Sequence, residues 1–510
     1  MIYNVTEYLD NAAENYPDKV AFSDKHTELT FSMLMHRSRM LAYRINHETQ
    51  GKTKQPVAVF LPKSVNCIVA FFASAYSGNY YTPIDISMPG SRIEKIIDTL
   101  DPAIIITDTS HYDFTSTLSA EIIIDIEKID ETNRDGIIDR EITLGIIDTD
   151  PLYIMFTSGS TGIPKGVVIS HRAVIDYVEW LASTFRFSEN TVFGNQAAFY
   201  FDNSVLDIYS TIKCGCEMVI IPEELFISPK RLCNYIDENK INTIFWVPSA
   251  LSLVANSGVL DSACPRYLEN ILFCGEVMPT KQFNIWRHAI PRAKYANLYG
   301  PTEITDVCTY YLIEREFDDN ESLPIGVPCR NTRVLVLNEN NKETLEGELG
   351  ELCILGTCLS YGYYDNPGKT SVAFVQNPLN AKYPEMMYRT GDLVKYNERG
   401  ELIFAGRKDY QIKHLGYRIE LGEIEVTAGN YEGVNQCCAL YDDEKQTIIL
   451  FITPCSISKT NLYQYMKNQI PVYMLPSLII AEDIFPLNAN GKIDRLRLKE
   501  KYKQIKNHGG

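Results

Sequence analysis

Short runs of aliphatic and β-branched residues recur along the first three hundred residues, and Gly, Pro or Asp closes most of them. Such runs are typical of strands buried on both faces of a parallel sheet, with a helix after each strand. PVAVFLP (56–62) leads into the helical stretch SVNCIVAFFASAYSG (64–78), and the same type of strand recurs at AIIITD (103–108), NTIFWVP (242–248) and NILFCGE (270–276). The pattern predicts a layered α/β architecture.

The pattern changes after about residue 320. RVLVLNENN, GELGELCIL and GELIFAG predict strands joined by tight polar turns, as in an antiparallel sheet or small barrel. Beyond the charged, glycine-rich segment GRKDYQIKHLGYRIELGEIE (406–425), a predicted helix and strand indicate a compact α+β module. A chain of 510 residues exceeds the usual size of one core. We therefore predict a large N-terminal domain, 1–408, of layered α/β subdomains plus a small β-barrel-like subdomain. A small, mobile α+β C-terminal domain, 409–510, follows it.

Composition excludes several classes of protein. The net charge of -17 makes the chain a poor candidate for nucleic-acid binding. The 13 cysteines lack the spacing of a zinc site and predict reduced thiols in a cytoplasmic protein. The start of the chain lacks the features of a signal peptide, and no apolar run is long enough to span a membrane. We therefore expect neither nucleic acid nor membrane as a partner.

The strongest local motif is YIMFTSGSTGIPKGVVISH (153–171), in which an apolar strand enters a loop rich in hydroxyl groups and glycine. Backbone N–H groups and hydroxyls in such a loop can surround phosphate oxygens, and a lysine adds positive charge. The alternative is a flexible Ser/Gly turn, and the loop lacks Walker A spacing. Its position after a strand favours phosphate binding by the loop residues Thr157, Ser158, Gly159, Ser160, Thr161 and Lys165.

Three further motifs carry residues suited to the same chemistry. In NLYGPTE (297–303), Tyr299 offers an aromatic face for a base, and Glu303 offers an oxygen ligand for Mg²⁺. In YRTGDL (388–393), Asp392 can accept both hydroxyls of a ribose. In PLNANGKIDR (486–495), Lys492 can bring positive charge to a developing transition state. Each motif taken alone has an ordinary alternative. NLYGPTE also fits a Gly–Pro turn, YRTGDL also fits a turn in which the Asp side chain bonds its own backbone, and PLNANGKIDR also fits a solvated surface lysine.

The order of these motifs resembles that of the adenylate-forming superfamily, which includes acyl-CoA synthetases, luciferases and nonribosomal peptide synthetase adenylation domains. The resemblance covers nearly the whole chain. The matching segments, in order, are LTFSML, SAYSGNYYTPIDISMP, the 157–166 loop, FDNSV, YGPTE, GELCILG, YRTGDL, GRKDYQIKHLGYRIE and NGKIDR.

The resemblance implies an ATP- and Mg²⁺-dependent enzyme with two half-reactions. A carboxylate attacks the α-phosphate of ATP, and a thiol then takes the acyl group from the adenylate. Lys492 would bridge carboxylate and phosphate, and Thr302 and Glu303 would hold the α-phosphate and Mg²⁺. The remaining residues implied to contact the nucleotide are those of the loop together with Gly275, Glu276, Asn297, Tyr299, Gly300, Asp392 and Arg407.

The same resemblance implies a domain rotation about Asp409. The rotation would withdraw Lys492 and bring the segment around Gly416 to the site, opening a path for a pantetheine thiol.

FYFDNSVLDIY (199–209) indicates the type of acid. In amino-acid-activating members, the Asp that matches Asp202 pairs with the α-ammonium group of the substrate. The chain resembles the D-alanine–D-alanyl carrier protein ligases in particular, because FCGEVMP nearly matches their signature and Cys274 matches a pocket cysteine tied to their D preference. The carrier, with its phosphopantetheine arm, would be a separate protein. The remaining residues implied to line the pocket are Asn203, Leu206, Trp246, Leu272, Leu298, Asp306 and Val307.

Three pocket positions depart from that group. Trp246 replaces a small residue, Leu298 replaces a threonine, and Asp306 replaces an apolar residue. Trp246 could shrink the pocket and keep selection for alanine. Asp306 could instead bind a hydroxylated or cationic side chain, point away, or be protonated, because a buried unpaired carboxylate costs several kcal/mol.

We therefore predict a monomeric, ATP-dependent amino acid–carrier protein ligase that favours D-alanine. The first alternative is a stand-alone adenylation enzyme for another polar or cationic amino acid. An acyl-CoA synthetase would leave Asp202 without an ammonium partner, and an idle nucleotide-binding scaffold would have no use for Lys165, Glu303, Asp392 and Lys492.

Overall fold

The computed structural model describes residues 2–129, 145–159, 162–487 and 493–508. Its strands, in chain order, are β1 Val20–Ser23, β2 Glu28–Thr30, β3 Pro56–Phe60, β4 Tyr80–Pro83, β5 Ile104–Thr107, β6 Ile122–Asp125, β7 Pro151–Thr157, β8 Lys165–Ser170, β9 Val192–Asn195, β10 Glu217–Ile220, β11 Thr243–Trp246, β12 Asn270–Phe273, β13 Lys294–Tyr299, β14 Thr309–Leu312, β15 Val327–Pro328, β16 Thr332–Leu337, β17 Gly350–Gly356, β18 Phe374–Gln376, β19 Met386–Tyr396, β20 Leu402–Arg407, β21 Gln411–His414, β22 Tyr417–Glu420, β23 Gln436–Asp442, β24 Thr447–Thr453 and β25 Leu478–Ala481.

The helices alternate with the strands over much of the chain. They are α1 Thr6–Asn15, α2 Phe31–Glu48, α3 Val65–Tyr76, α4 Gly90–Leu100, α5 Tyr112–Thr115, α6 His171–Phe185, α7 Asn203–Cys214, α8 Pro229–Glu238, α9 Pro248–Asn256, α10 Thr280–Ala289, α11 Pro367–Ala373, α12 Leu421–Gly429, α13 Lys459–Lys467 and α14 Arg495–His508. Side-chain hydrogen bonds cap the N-termini of several helices. The Ser170 hydroxyl, for example, accepts the Ala173 N–H at the start of α6.

The chain forms two compact units. The first unit comprises Met1–Ile86, Ile97–Phe156 and Gly166–Lys408. The second unit comprises Ser87–Ile96, Thr157–Lys165 and Asp409–Gly510.

Two large sheets dominate the first unit. One has the strand order β6-β5-β3-β4-β7-β8, and the pairs from β6 to β7 are parallel. The other has the order β15-β14-β13-β12-β11-β9-β10-β1-β2, and its central pairs are also parallel. Helices follow β3, β11 and β12, as the apolar runs predict. An antiparallel sheet built from β16 to β20 corresponds to the predicted change of pattern after residue 320.

The second unit has an α+β core of its own. β23 and β24 pair antiparallel, β24 and β25 pair parallel, and α12 and α13 pack residues such as Ile424 and Leu462 into the same apolar cluster. Among the described residues, every helix is too short or too polar to span a bilayer. All 13 cysteines are free thiols, and eight of the ten in the first unit are buried.

Candidate functional site

Three of the residues predicted to bind nucleotide form one hydrogen-bonded group in the first unit. The Tyr299 hydroxyl donates to Oδ2 of Asp392, and Nη1 of Arg407 donates to Oδ1 of the same carboxylate. Asp392 and Arg407 are register partners on β19 and β20, while Tyr299 ends β13. Burial, followed by the charge of Asp392, raises the pKa of Tyr299 well above its ordinary value. Tyr299 is therefore a neutral donor, and the Asp392 carboxylate is held by a cation.

The turn before Asp392 is satisfied by a neighbouring threonine rather than by Asp392 itself. The Thr390 hydroxyl accepts the Asp392 N–H at 2.9 Å and donates to the Leu352 carbonyl at 2.7 Å. Nη2 of Arg407 donates to the Thr390 carbonyl at 3.2 Å. The Asp392 carboxylate is therefore bonded to the side chains of Tyr299 and Arg407 and does not satisfy its own turn.

Glu303 lies fully buried in the 3₁₀ turn Thr302–Ile304. The Tyr363 hydroxyl donates to its Oε1 at 2.7 Å. No group of three or more His, Cys, Asp or Glu side chains suited to a metal occurs in the part of the chain that the structure describes. A single carboxylate such as Glu303, with phosphate and water as the other ligands, is the kind of site that suits Mg²⁺.

Gly300 is required by the close approach of the following turn. A Cβ on Gly300 would lie 2.2 Å from the Asp306 carbonyl oxygen. Thr305 and Asp306 both have positive φ, 63° and 70°, and the Thr305 hydroxyl donates to the Cys358 carbonyl at 2.9 Å. This turn fixes where Asp306 lies relative to the end of β13.

The other predicted nucleotide contacts lie within β13 or just after β12. Nδ2 of Asn297 donates to the Pro324 carbonyl at 2.8 Å. Gly275 has φ +97°, and Oε2 of Glu276 accepts the Ser249 N–H at 2.9 Å. Carboxyl ends of parallel strands are where open α/β sheets bind ligands.

The described part of the loop predicted to bind phosphate, Thr157–Lys165, belongs to the second unit. The Ser158 hydroxyl donates to the Arg418 carbonyl at 2.7 Å, and the Thr157 hydroxyl reaches the Lys165 carbonyl at 3.5 Å. The Gly159 N–H donates to Oε2 of Glu423 at 3.3 Å. Ser160 and Thr161 lie outside the described residues.

Glu423 was not predicted, although it lies within the quoted motif GEIE. Its carboxylate is 1% exposed and also accepts from Nη1 of Arg92, which is 6% exposed. A backbone N–H of the loop therefore binds an anionic oxygen here, which is the capacity expected of a phosphate-binding loop.

Several of the residues predicted to bind the amino acid belong to the main core of the first unit. Oδ1 of Asp202, at the start of α7, accepts the Asn203 N–H at 3.1 Å. Five predicted pocket residues share one apolar cluster: Leu206, Leu272, Cys274, Leu298 and Val307.

Trp246 does not join them. It is fully buried in a second apolar cluster, and its indole N–H donates to the Gly194 carbonyl at 2.8 Å. In the strand register Trp246 pairs with Phe273, whereas Phe245 pairs with Leu272. Side chains alternate across a sheet, so Trp246 faces away from Leu272 and Cys274. The expectation that Trp246 shrinks the amino-acid pocket is corrected by this placement.

Asp306 is buried and has a partner that the sequence did not reveal. The Tyr177 hydroxyl, from α6, donates to its Oδ2 at 2.6 Å. Burial, then the charge of Asp306, raises the pKa of Tyr177 well above its ordinary value. The side chain therefore points into the core and is held by a neutral donor, which adds to the three outcomes considered for this residue.

The boundary between the two units falls between Lys408 and Asp409. Oδ1 of Asp409 accepts the Gln411 N–H at 3.2 Å. Lys492 lies outside the described residues.

Comparison with known proteins identifies the class. The family profile of AMP-binding enzymes matches residues 9–364. The D-alanine–D-alanyl carrier protein ligase of Bacillus licheniformis is 31% identical over 505 residues, covering 97% of this chain and 98% of that protein. An L-proline–[L-prolyl-carrier protein] ligase of Streptomyces coelicolor is 32% identical over 473 residues, covering 88% of this chain and 87% of that protein. A solved nonribosomal peptide synthetase protein with adenylation and PCP domains superposes with TM-score 0.84 at 23% identity, covering 98% of this chain and 84% of that chain.

The fold and the motifs define an adenylating ligase with a mixed α/β fold, as predicted. The chain belongs to the AMP-binding enzyme family, whose members use ATP, and it is of the carrier-protein ligase and nonribosomal adenylation type. This confirms the resemblance drawn from the motif order.

Proposed function

We propose that the protein adenylates a small amino acid and transfers it to the phosphopantetheine thiol of a separate carrier protein. The observation that carries the proposal is Asp202, a carboxylate at the start of α7, the helix whose Leu206 belongs to the main apolar cluster of the first unit. Its carboxylate suits an α-ammonium group, and a fatty or aryl acid offers it no cation.

The nucleotide would be bound by groups already described. Tyr299 would pack on adenine, Asp392 and Arg407 would bind ribose, and the 157–165 loop would hold the β- and γ-phosphates. Glu303 would supply one ligand to Mg²⁺. In this arrangement the hydrogen-bond donors of the site and the Mg²⁺ ion would stabilise the negative charge that develops on the α-phosphate.

The reaction would proceed in two steps with different groups in place. Lys492 would bridge the substrate carboxylate and the α-phosphate during attack, so that pyrophosphate leaves and the aminoacyl-adenylate forms. Rotation about Asp409 would then replace Lys492 with the segment near Gly416. The carrier thiol would attack the acyl carbon, and AMP would leave.

D-Alanine is the first candidate substrate. The ligase from B. licheniformis is named for it and is similar over nearly the whole chain, and Cys274 is buried among the pocket residues. A short polar amino acid is the second candidate, and the Asp306–Tyr177 pair supports it.

Amino-acid-dependent exchange of pyrophosphate into ATP tests the proposal. We expect exchange with at least one small amino acid, and we expect Asp202→Asn to lower kcat/KM by about 100-fold because the ammonium loses its charged partner. Exchange supported by fatty or aryl acids, with none from any amino acid, would refute the proposal. Release of AMP that depends on a carrier with a free phosphopantetheine thiol, rather than on coenzyme A, tests the second step.

A further inference from the structure

The residue that ends the first unit, Lys408, is bonded to that unit through both its backbone and its side chain. Its N–H donates to the Gly391 carbonyl at 2.9 Å, which extends the pairing of β20 with β19 by one residue. Its Nζ lies 3.2 Å from Oε2 of Glu351, a carboxylate that is 6% exposed. Glu351 also accepts from Nη1 of Arg389 at 2.6 Å and from the Gly391 N–H at 3.2 Å. The backbone of Lys408 is therefore part of the antiparallel sheet of the first unit.

Two residues further on, Tyr410 is held in the second unit by its side chain. The centre of the Arg495 guanidinium lies 4.0 Å from the centroid of the Tyr410 ring. A guanidinium attracts the face of an aromatic ring at this distance. The ring is otherwise largely in solvent, since Tyr410 is 62% exposed. The contact with Arg495 therefore determines where this side chain lies.

Arg495 is itself fixed by two elements of the second unit. Its Nη1 donates to the Ala439 carbonyl, on β23, at 2.7 Å, and its Nη2 donates to Oε1 of Glu425, on α12. The Ala439 N–H donates to the same Oε1 at 2.7 Å. A planar guanidinium whose two terminal nitrogens are both bonded presents its face in one orientation. The Tyr410 ring therefore packs on a rigid surface of the second unit.

The backbone that follows Tyr410 is paired. Gln411 begins β21 and is the register partner of Glu420 on β22. The Asp409 carboxylate spans Tyr410 by accepting the Gln411 N–H at 3.2 Å. Tyr410 precedes the strand pairing, so its backbone conformation depends on this hydrogen bond and on the contact of its ring with Arg495.

We propose that Tyr410 and Arg495 are positioning residues that confine the domain rotation to Asp409. The inference rests on the proposed function, which places the hinge at that residue. Lys408 is bonded to one unit and Tyr410 to the other, so a rotation of the units has to be taken up by the backbone between these two residues. A hinge of one residue limits the orientations that the units can adopt, and each half-reaction then meets its groups in a defined geometry.

A double variant tests this inference. Proline at position 409 blocks rotation there and removes the carboxylate that spans Tyr410, so the contact with Arg495 is left to restrain Tyr410. We expect Asp409→Pro to lower thioester formation on the carrier by about 100-fold or more. Adding Tyr410→Ala should raise it again by about 5-fold or more, because the chain gains a second residue at which it can turn. Tyr410→Ala alone should change both half-reactions by less than about 3-fold, since Asp409 still rotates. The two substitutions are therefore expected to be strongly non-additive.

Tyr410→Phe is the matched control. It keeps an aromatic ring against the Arg495 guanidinium, so combining it with Asp409→Pro should leave thioester formation as low as in Asp409→Pro alone. A merely structural role of Tyr410 would lower activity in every background and would raise it in none. Pyrophosphate exchange measured on the same samples shows whether each variant still forms the adenylate.

Two results would overturn the inference while the hinge at Asp409 stands. They are a double variant with Tyr410→Ala that recovers no thioester formation, and a double variant with Tyr410→Phe that recovers as much. Full thioester formation in Asp409→Pro alone would instead remove the proposed hinge, and this inference with it. Absence of exchange with every amino acid in the unmodified protein would remove the proposed function as a whole.

Discussion

Asp207 is a fully buried carboxyl group on α7, the helix that begins with the residue after Asp202. Nδ2 of Asn195 donates to its Oδ2 at 2.8 Å. Burial raises the pKa of Asp207 to about 7, against the opposing effects of Asn195 and of the nearby Lys63. Burial likewise lowers the pKa of Lys63 to about 8. The helix that follows Asp202 therefore contains a carboxyl group, that of Asp207, that is mostly protonated below about pH 7.

This pKa predicts a pH dependence of stability. The folded pKa exceeds the unfolded value, so the stabilisation is full below about pH 4 and is lost as pH rises towards 7. For one carboxyl group with a pKa shift of this size, the free energy of unfolding falls by at most about 4 kcal/mol. We expect Asp207→Asn to abolish most of this loss, because the amide keeps an acceptor for Asn195 but cannot ionise. Tm measured between pH 4.5 and 8 for both proteins checks this, and parallel curves would argue against the assignment.

Gly300 supports a second prediction at the scale of one residue. Alanine there would place Cβ 2.2 Å from the Asp306 carbonyl oxygen, so the turn that carries Glu303 and Asp306 must shift. We expect Gly300→Ala to destabilise the fold by about 1–3 kcal/mol and to reduce exchange sharply. Gly368→Ala is the control, because a Cβ there meets nothing within 4 Å. Equal behaviour of the two variants would disprove the role of the close approach.

At the scale of elements, the apolar runs predicted strands and following helices correctly. PVAVFLP became β3, and the next stretch became α3, because local periodicity determines element type. The side to which a strand-end residue points was harder to predict. Trp246 is misjudged from the sequence because its direction depends on the register with β12. Tyr177 was missed because it reaches Asp306 from α6, which is distant in the chain, and no spacing rule connects the two residues.

The link between α12 and the 157–165 loop gives a prediction for elements of the second unit. Glu423 accepts from the Arg92 guanidinium and from the Gly159 N–H, and both charged side chains are buried. We expect Glu423→Gln to destabilise this unit by about 3 kcal/mol, because a buried guanidinium loses its counter-charge.

Limited proteolysis and urea unfolding would measure the effect of Glu423→Gln. The exposed pair between Lys25 and Glu224 provides the control. Glu224→Gln should leave both measurements unchanged, since surface pairs contribute little. A similarly small effect of Glu423→Gln would mean that the Arg92 contact does not hold the loop region together.

At the scale of the whole molecule, the motif order carried more information than any single motif. It identified the family and the grouping of Tyr299, Asp392 and Arg407, which come from strands of two different sheets. It could not give the side-chain chemistry of the substrate, because that depends on how buried polar atoms from several elements are paired. Individual positions such as Asp306 therefore had several open interpretations until their partners were known.

The boundary between Lys408 and Asp409 yields the last prediction. Two half-reactions that need different groups at one site require a change of domain orientation. A proline at the hinge would fix its own φ and would restrict the backbone conformation of the residue before it. We expect Asp409→Pro to retain amino-acid-dependent pyrophosphate exchange within about 5-fold and to lower thioester formation on the carrier by about 100-fold or more. Asp409→Ala is the matched control, because it also loses the Gln411 hydrogen bond but leaves rotation possible, and it should retain both activities. Survival of both half-reactions in Asp409→Pro would show that the hinge lies elsewhere, whereas loss of both with an unchanged circular dichroism spectrum would show that Asp409 is needed for adenylation itself.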